Sequence, residues 1–171
     1  MQQVLVKKMI DAPPLQVWEV IDDFGGVQNY HPLVAASPLL GEQRTGEGAQ
    51  RCCTFHSGGK INERITAYEK GVGYEVTITD TGPFPLKTAI GELRVTPAGE
   101  GRSEVSFGMR FVPNFGSIGW LMGQFIMKSQ FRKTLRQVLD GLDEHVRTGR
   151  VIGPAHPADG VASAAEAMSA A

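Results

Sequence analysis

With 171 residues the chain is sized for one domain, and a domain of about 150 residues buries roughly 68–70% of its unfolded surface, enough for a core without staples. Its 17 basic and 18 acidic side chains are interspersed and sum to a formal net charge of −1, which leaves no footprint for a nucleic-acid backbone and excludes nucleic acid as the main partner. No stretch approaches the ~20 apolar residues of a membrane span, and Met1 to Lys8 alternates instead of forming a basic cap and an apolar block, so no integral membrane insertion is expected and a cytoplasmic setting is.

The first element is a strand from about Gln3 to Asp11. Ala12-Pro13-Pro14 then opens a helix, because proline is tolerated in a first helical turn. Leu15, Val17, Trp18 and Ile21 recur at helical spacing until Asp22-Asp23-Phe24-Gly25-Gly26 interrupts them, and a second short helical turn fits before Tyr30-His31-Pro32. Strand-like runs follow near Val34 to Leu40, Gly48 to His56, Lys60 to Tyr68, Gly73 to Thr81, Leu86 to Thr96 and Arg102 to Val112, each bounded by glycine or proline. In the last, Val105, Phe107, Met109 and Phe111 alternate with Glu104, Ser106, Gly108 and Arg110, so one face is core and the other wet.

From about Gly116 to Arg147 the period becomes helical, and the first half of that helix is apolar nearly all round. Such a surface is buried on most sides or faces a cavity or a partner, including a second copy of the chain in a homodimer. Residues 149–171, rich in alanine, glycine and proline, carry no core pattern and read as a tail after a single domain over 1–148. The order of elements predicts an α+β fold, an antiparallel meander wrapped on one long C-terminal helix with two short helices after the first strand.

Within the meander, Arg51, Cys53 and Phe55 share one face of their strand, while Gln50, Cys52, Thr54 and His56 share the other. On the next strand Glu63 rides with Ile61, Ile65 and Ala67. Ser57-Gly58-Gly59-Lys60 supplies hairpin turn chemistry between them, and with an odd loop length Arg51 and Glu63 fall on the same face. A guanidinium and a carboxylate turned toward an apolar interior must pair or bind something polar, since an uncompensated buried charge costs several kcal/mol or more. Either a structural ion pair or a ligand site follows. Cys52 and Cys53 are adjacent and point to opposite faces, which rules out an ordinary disulfide between them.

His31 lies in a loop that would border a cavity mouth, where it is a ligand contact or a plain loop histidine. Cys53 reads as a small buried hydrophobe, and Trp18, Tyr74, Phe107, Met109, Phe111 and Phe125 as core first and cavity lining second. His56, His145 and His156 are assigned to the surface. Two adjacent cysteines and four scattered histidines give no zinc spacing, and there is no phosphate loop or nucleophile elbow, so neither a metal nor another cofactor is expected.

Taken in order, Pro14-Leu15-Gln16-Val17-Trp18-Glu19-Val20-Ile21-Asp22-Asp23-Phe24, then Tyr30-His31-Pro32, then Gly48-Ala49-Gln50-Arg51 with Phe55, then Ile61-Asn62-Glu63-Arg64-Ile65-Thr66-Ala67-Tyr68 resemble the polyketide cyclase/dehydrase branch of the SRPBCC superfamily. That superfamily also holds START lipid-transfer domains and plant carriers of the birch-pollen-allergen type. The resemblance runs from about Met1 to Arg147. It implies a helix-grip fold, in which a curved seven-stranded antiparallel sheet grips a long C-terminal helix around a hydrophobic cavity.

By that resemblance the chain is expected to bind or carry a small hydrophobic or lipid-like molecule with a polar end, in a cavity of about 300–1,000 Å³. His31, Arg51, Cys53, Phe55 and Glu63 would touch it, with Tyr74, Phe107, Met109 and Phe125 as further lining. The alternative is a cofactor-independent cyclase, aromatase or isomerase. In it Glu63 would move a proton and Arg51, whose planar fork suits an anionic or oxygen-rich group, would steady developing negative charge. A module that binds a protein through the apolar half of the helix is a third reading.

Overall fold

The structure is a computed structural model and describes residues 1–114 and 119–153; the side chains of residues 119–125 lie outside the described set. Strand β1 (Gln2–Ile10) alternates as expected, with Val4, Val6 and Ile10 buried. Pro13 is extended (φ −60°, ψ 148°), and α1 (Pro14–Asp22) begins on Pro14, where a missing N–H leaves no helical bond unmade. Val17, Trp18 and Ile21 form its buried stripe. Asp23 leaves the helical region (φ −70°, ψ 79°), and a 3₁₀ helix, Phe24–Asn29, follows at once with Phe24, Gly26 and Val27 buried. Both short helices of the sequence reading are present.

The run expected as one strand from Val34 to Leu40 is divided into β2 (Val34–Ala36) and β3 (Leu39–Leu40). Pro38 between them has no N–H for the ladder, although its carbonyl still accepts the Cys52 N–H at 3.0 Å. The remaining strands are β4 (Gln50–Phe55), β5 (Lys60–Glu69), β6 (Gly73–Asp80), β7 (Leu86–Pro97) and β8 (Ser103–Pro113), followed by α2 (Gly119–Thr148). They make one antiparallel sheet of eight strands in the order β1-β8-β7-β6-β5-β4-β2, with β3 paired to β4 beside that path. The expected seven strands are thus the path itself, and the eighth is the fragment that Pro38 cuts off. The fold is α+β and of the helix-grip type.

Register fixes which side chains face the helix. Val4 pairs with Met109, Val6 with Phe107 and Lys8 with Val105 across β1 and β8, and Leu93 pairs with both Phe107 and Tyr74. The second half of α2 lies against β1 and β8, burying Leu135, Val138, Leu139, Leu142 and Val146. Lys8 stands among the inward positions of β1, and its ammonium is satisfied there by Asp140 at 2.6 Å and Asp143 at 3.5 Å on the helix. Beyond α2 the chain turns at Gly149 (φ 70°), and the Ile152 N–H donates to the Asn29 carbonyl at 2.9 Å. The tail expected beyond this point lies, from residue 154 on, outside the described residues.

Gly141 lets α2 approach the end of the 3₁₀ helix, since a Cβ there would run into the Tyr30 carbonyl oxygen. An exposed glycine in mid-helix would gain up to about 1 kcal/mol on becoming alanine. Gly141→Ala is instead expected to lower stability by roughly 1–3 kcal/mol through forced repacking, as urea unfolding would measure.

Candidate functional site

The β4–β5 hairpin closes through His56-Ser57-Gly58-Gly59, with Gly58 at φ 91° and the Phe55 N–H donating to the Gly59 carbonyl at 2.8 Å. This turn sets Arg51 directly opposite Glu63 and Cys53 opposite Ile61, so the period-two pattern places both charges on the concave face. Arg51 Nε donates to Glu63 Oε2 at 2.6 Å. Its Nη1 donates to the Phe24 carbonyl at 2.7 Å, and the guanidinium carbon lies 4.0 Å from the centre of the Phe24 ring. The cation is thereby held by a carboxylate, a carbonyl and an aromatic face, while the residue keeps 6% of its surface exposed. Burial opposes the charge on Arg51, but Glu63, aided by Cys53, Tyr74 and Tyr30, outweighs it and holds its pKa above the ordinary value.

Around the pair, acidic protons are retained. Burial first, and Glu63 second, push the Cys53 thiol up, and it donates to Glu63 Oε2 at 3.3 Å. Burial likewise raises Tyr30 and Tyr74, whose rings are nearly enclosed at 2% and 6% exposure. His31 moves the other way. Burial, with Arg51 adding to it and Glu63 opposing, lowers it to about 4. Its Nδ1 accepts the Leu33 N–H at 3.2 Å, so the neutral ring carries its proton on Nε2.

The expected residues can now be placed. Arg51, Cys53, Phe55, Glu63, Tyr74, Phe107 and Met109 all stand on the concave side by register. His31 joins them from its loop, edge-on to Phe55 with ring centres 6.4 Å apart, and Phe84 stacks edge-on to the same ring at 5.4 Å. Phe125 lies outside the described side chains, whereas in the same apolar half of the helix Ile126 is exposed and Met127 and Phe131 pack partly buried against the core. Residues absent from the expected set are Phe24, which holds Arg51, Tyr30, whose phenol faces Tyr74, and Ile78, which pairs with Glu63. The alternation of Tyr74, Val76 and Ile78 carried a signal for the last; nothing local pointed to the first.

Exposure divides this face. Where α2 and β1 cover it, side chains such as Val105 and Phe111 have no exposed surface, whereas Phe55, Ile78, Phe107 and Met109 are only half-buried. A separate open groove of about 570 Å³ lies on the outer edge, bounded by the 3₁₀ helix, β2, β3 and Arg44, and contains none of the expected residues.

Two outcomes follow from the pairing. Glu63→Gln keeps an oxygen for Arg51 but removes the countercharge, so unfolding should show a loss of about 2–4 kcal/mol. For His31, the unfolded chain binds its proton near pH 6.5 and the folded chain only near pH 4. Its contribution is therefore full above pH 6.5 and lost as pH falls toward 4, on the order of 2 kcal/mol after allowing for partial exposure. Unfolding curves of the wild type and His31→Asn across that window should converge at its acid end; parallel curves would contradict a neutral, half-buried His31.

Among solved structures, the protein XoxI from Bacillus cereus superposes with a TM-score of 0.74 at 21% identity, covering 86% of this chain and 97% of that one. An aromatase/cyclase, ZhuI, from a Streptomyces species gives 0.69 at 18% identity, covering 86% and 97%. Norcoclaurine synthase from Thalictrum flavum gives 0.64 at 14% identity, covering 86% and 94%. At such identities the likeness shows the fold alone. No curated protein sequence matches the chain. Among the described residues, no helix is long and apolar enough to cross a membrane. The sequence family described as "Polyketide cyclase / dehydrase and lipid transport" matches residues 1–147, and this chain belongs to that family.

Proposed function

We propose that the concave face binds, for carriage or sensing, a small hydrophobic molecule whose polar end meets the Arg51–Glu63 pair. The observation that carries this reading is the half-buried apolar set Phe55, Ile78, Phe107 and Met109, of which Ile78 pairs with Glu63, on a face where Leu93, Val105 and Phe111 are buried. Apolar surface left uncovered inside a sheet is unfavourable by roughly 25 cal/mol per Å², and a ligand that covers it recovers that free energy. The family description, which names lipid transport beside cyclase chemistry, is consistent with such a role.

Gly91 offers a direct test. It pairs with Val76 and Met109, and a Cβ there would make ordinary contacts of 3.5 Å with Phe107 and 3.9 Å with Met109. Gly91→Ala should therefore fold while narrowing the space above those side chains. An apolar environment-sensitive dye should bind the wild type and lose about tenfold or more in affinity to the variant. Equal dye affinity for both proteins would place the binding surface elsewhere.

One observation favours catalysis as a second reading. A carboxylate, two protonated phenols and a neutral imidazole converge on the same face, which is a set able to take up and return a proton. Likeness to an aromatase/cyclase and to a synthase agrees with it. In that case a keto substrate should turn over without an added cofactor, and Glu63→Gln should abolish turnover while binding persists.

A further inference from the structure

The described residues end beside the outer groove. After α2 the chain turns back at Gly149 (φ 70°), and the Ile152 N–H is held by the Asn29 carbonyl at 2.9 Å. Asn29 also bounds the groove, so the residues after Gly153 set out from its rim. The groove holds about 570 Å³ and is preformed: Ser37, 2% exposed, donates its hydroxyl to the Gly25 carbonyl at 2.6 Å and ties the strand wall to the wall made by the 3₁₀ helix. Consecutive residues 35–39 form the strand wall. Alternating side chains cannot all reach one groove, so it follows the backbone edge of β2, where the sheet ends and no further strand takes up the outer N–H and C=O groups.

Two charges that line the groove are uncommitted. Asp23 and Arg44 are exposed, and their side chains have no hydrogen-bond or ion-pair partner among the described residues. The sequence that leaves the rim is Pro154-Ala155-His156-Pro157-Ala158-Asp159. Pro154 and Pro157 fix their own φ and bias Gly153 and His156 toward extended backbone, so the segment favours the polyproline II form and loses little entropy on being held. That form has three residues per turn, which puts Ala155 with Ala158 on one face and His156 with Asp159 on another. The first face is small enough to lie against Ala35 and Ala36, and the second offers a donor for Asp23 and an acid for Arg44. At about 3.1 Å per residue, Asp159 lies within roughly 19 Å of Gly153. We propose that residues 154–159 dock in the outer groove of their own chain as an extended strap, with the alanines along the β2 edge, His156 toward Asp23 and Asp159 toward Arg44. A tethered segment needs little intrinsic affinity, because its effective concentration is on the order of millimolar. The strap covers a sheet edge that otherwise invites pairing between copies.

NMR of the full chain with labelled alanine methyls reads the docked state directly. Contacts should link the Ala155 and Ala158 methyls to those of Ala35 and Ala36, with an intensity that does not change with protein concentration. Exposed ion pairs are weak, so Arg44→Asp and Asp159→Arg should each lower the docked population about threefold, and the double variant, in which the charges are exchanged, should recover most of it. Arg44 is exposed, so its replacement leaves the core untouched. A wild type without those methyl contacts would overturn the inference. Contacts that strengthen as the protein is concentrated would overturn it as well, by giving the groove to the segment of a second copy. Single variants that dock like the wild type, or a double variant no better docked than the singles, would overturn the pairing of Arg44 with Asp159 that seats the strap.

Discussion

The ion pair between Arg51 and Glu63 constrains its whole neighbourhood, because either charge alone on the inner face would be uncompensated and costly by several kcal/mol. The pairing requires β4 and β5 to meet in one register, and a slip by a single residue between them would put Arg51 and Glu63 on opposite faces of the sheet. It also draws in the 3₁₀ helix, whose Phe24 supplies both a carbonyl acceptor and an aromatic face to the guanidinium. The break in α1 at Asp23 serves that placement, since a continuing helix would commit the Phe24 carbonyl to its own ladder. Protonation states nearby follow from the same arrangement: burial keeps Cys53, Tyr30 and Tyr74 protonated and His31 neutral, so the pair is the concentrated charge of the site.

The long helix divides the inner face unequally. Its second half is stitched to β1 by Lys8 with Asp140 and Asp143, and pressed onto Tyr30 through Gly141, so that end of the grip is filled with aliphatic side chains. Half-buried apolar groups stand at Phe55 on β4 and Ile78 on β6, and again at Phe107 and Met109 on β8. Filled and uncovered stretches on one continuous sheet provide a rigid wall with receptive patches, an arrangement suited to holding a ligand without a large conformational change.

Much of this was legible in the sequence because it depends on local periodicity. Alternation along β4, β5 and β8 put Arg51, Glu63, Phe107 and Met109 on the correct sides, and proline and glycine marked the ends of the elements. The order of the motifs added the topology. What escaped depends on contacts between distant parts of the chain. Phe24 meets Arg51 across 27 positions, and the Tyr30 and Tyr74 phenols come together only when the 3₁₀ helix closes over the sheet. The break at Pro38 was visible as a residue, yet whether it ends a strand or sits on an edge is decided by which neighbour needs its N–H. The outer groove beside Ala36 and Leu39 arises from that break and from the 3₁₀ helix, and no local pattern announces it.

The central claim is that ligand binds beside the Arg51–Glu63 pair on the concave face and not in the outer groove. Methyl-resolved NMR during titration with the apolar environment-sensitive dye tests it most directly, because the two locations carry different reporters. The account predicts shifts and ligand contacts at the Ile78 and Met109 methyls, with the methyls of Ala35 and Ala36 unmoved. Contacts confined to Ala35 and Ala36, with Ile78 and Met109 silent, would contradict it.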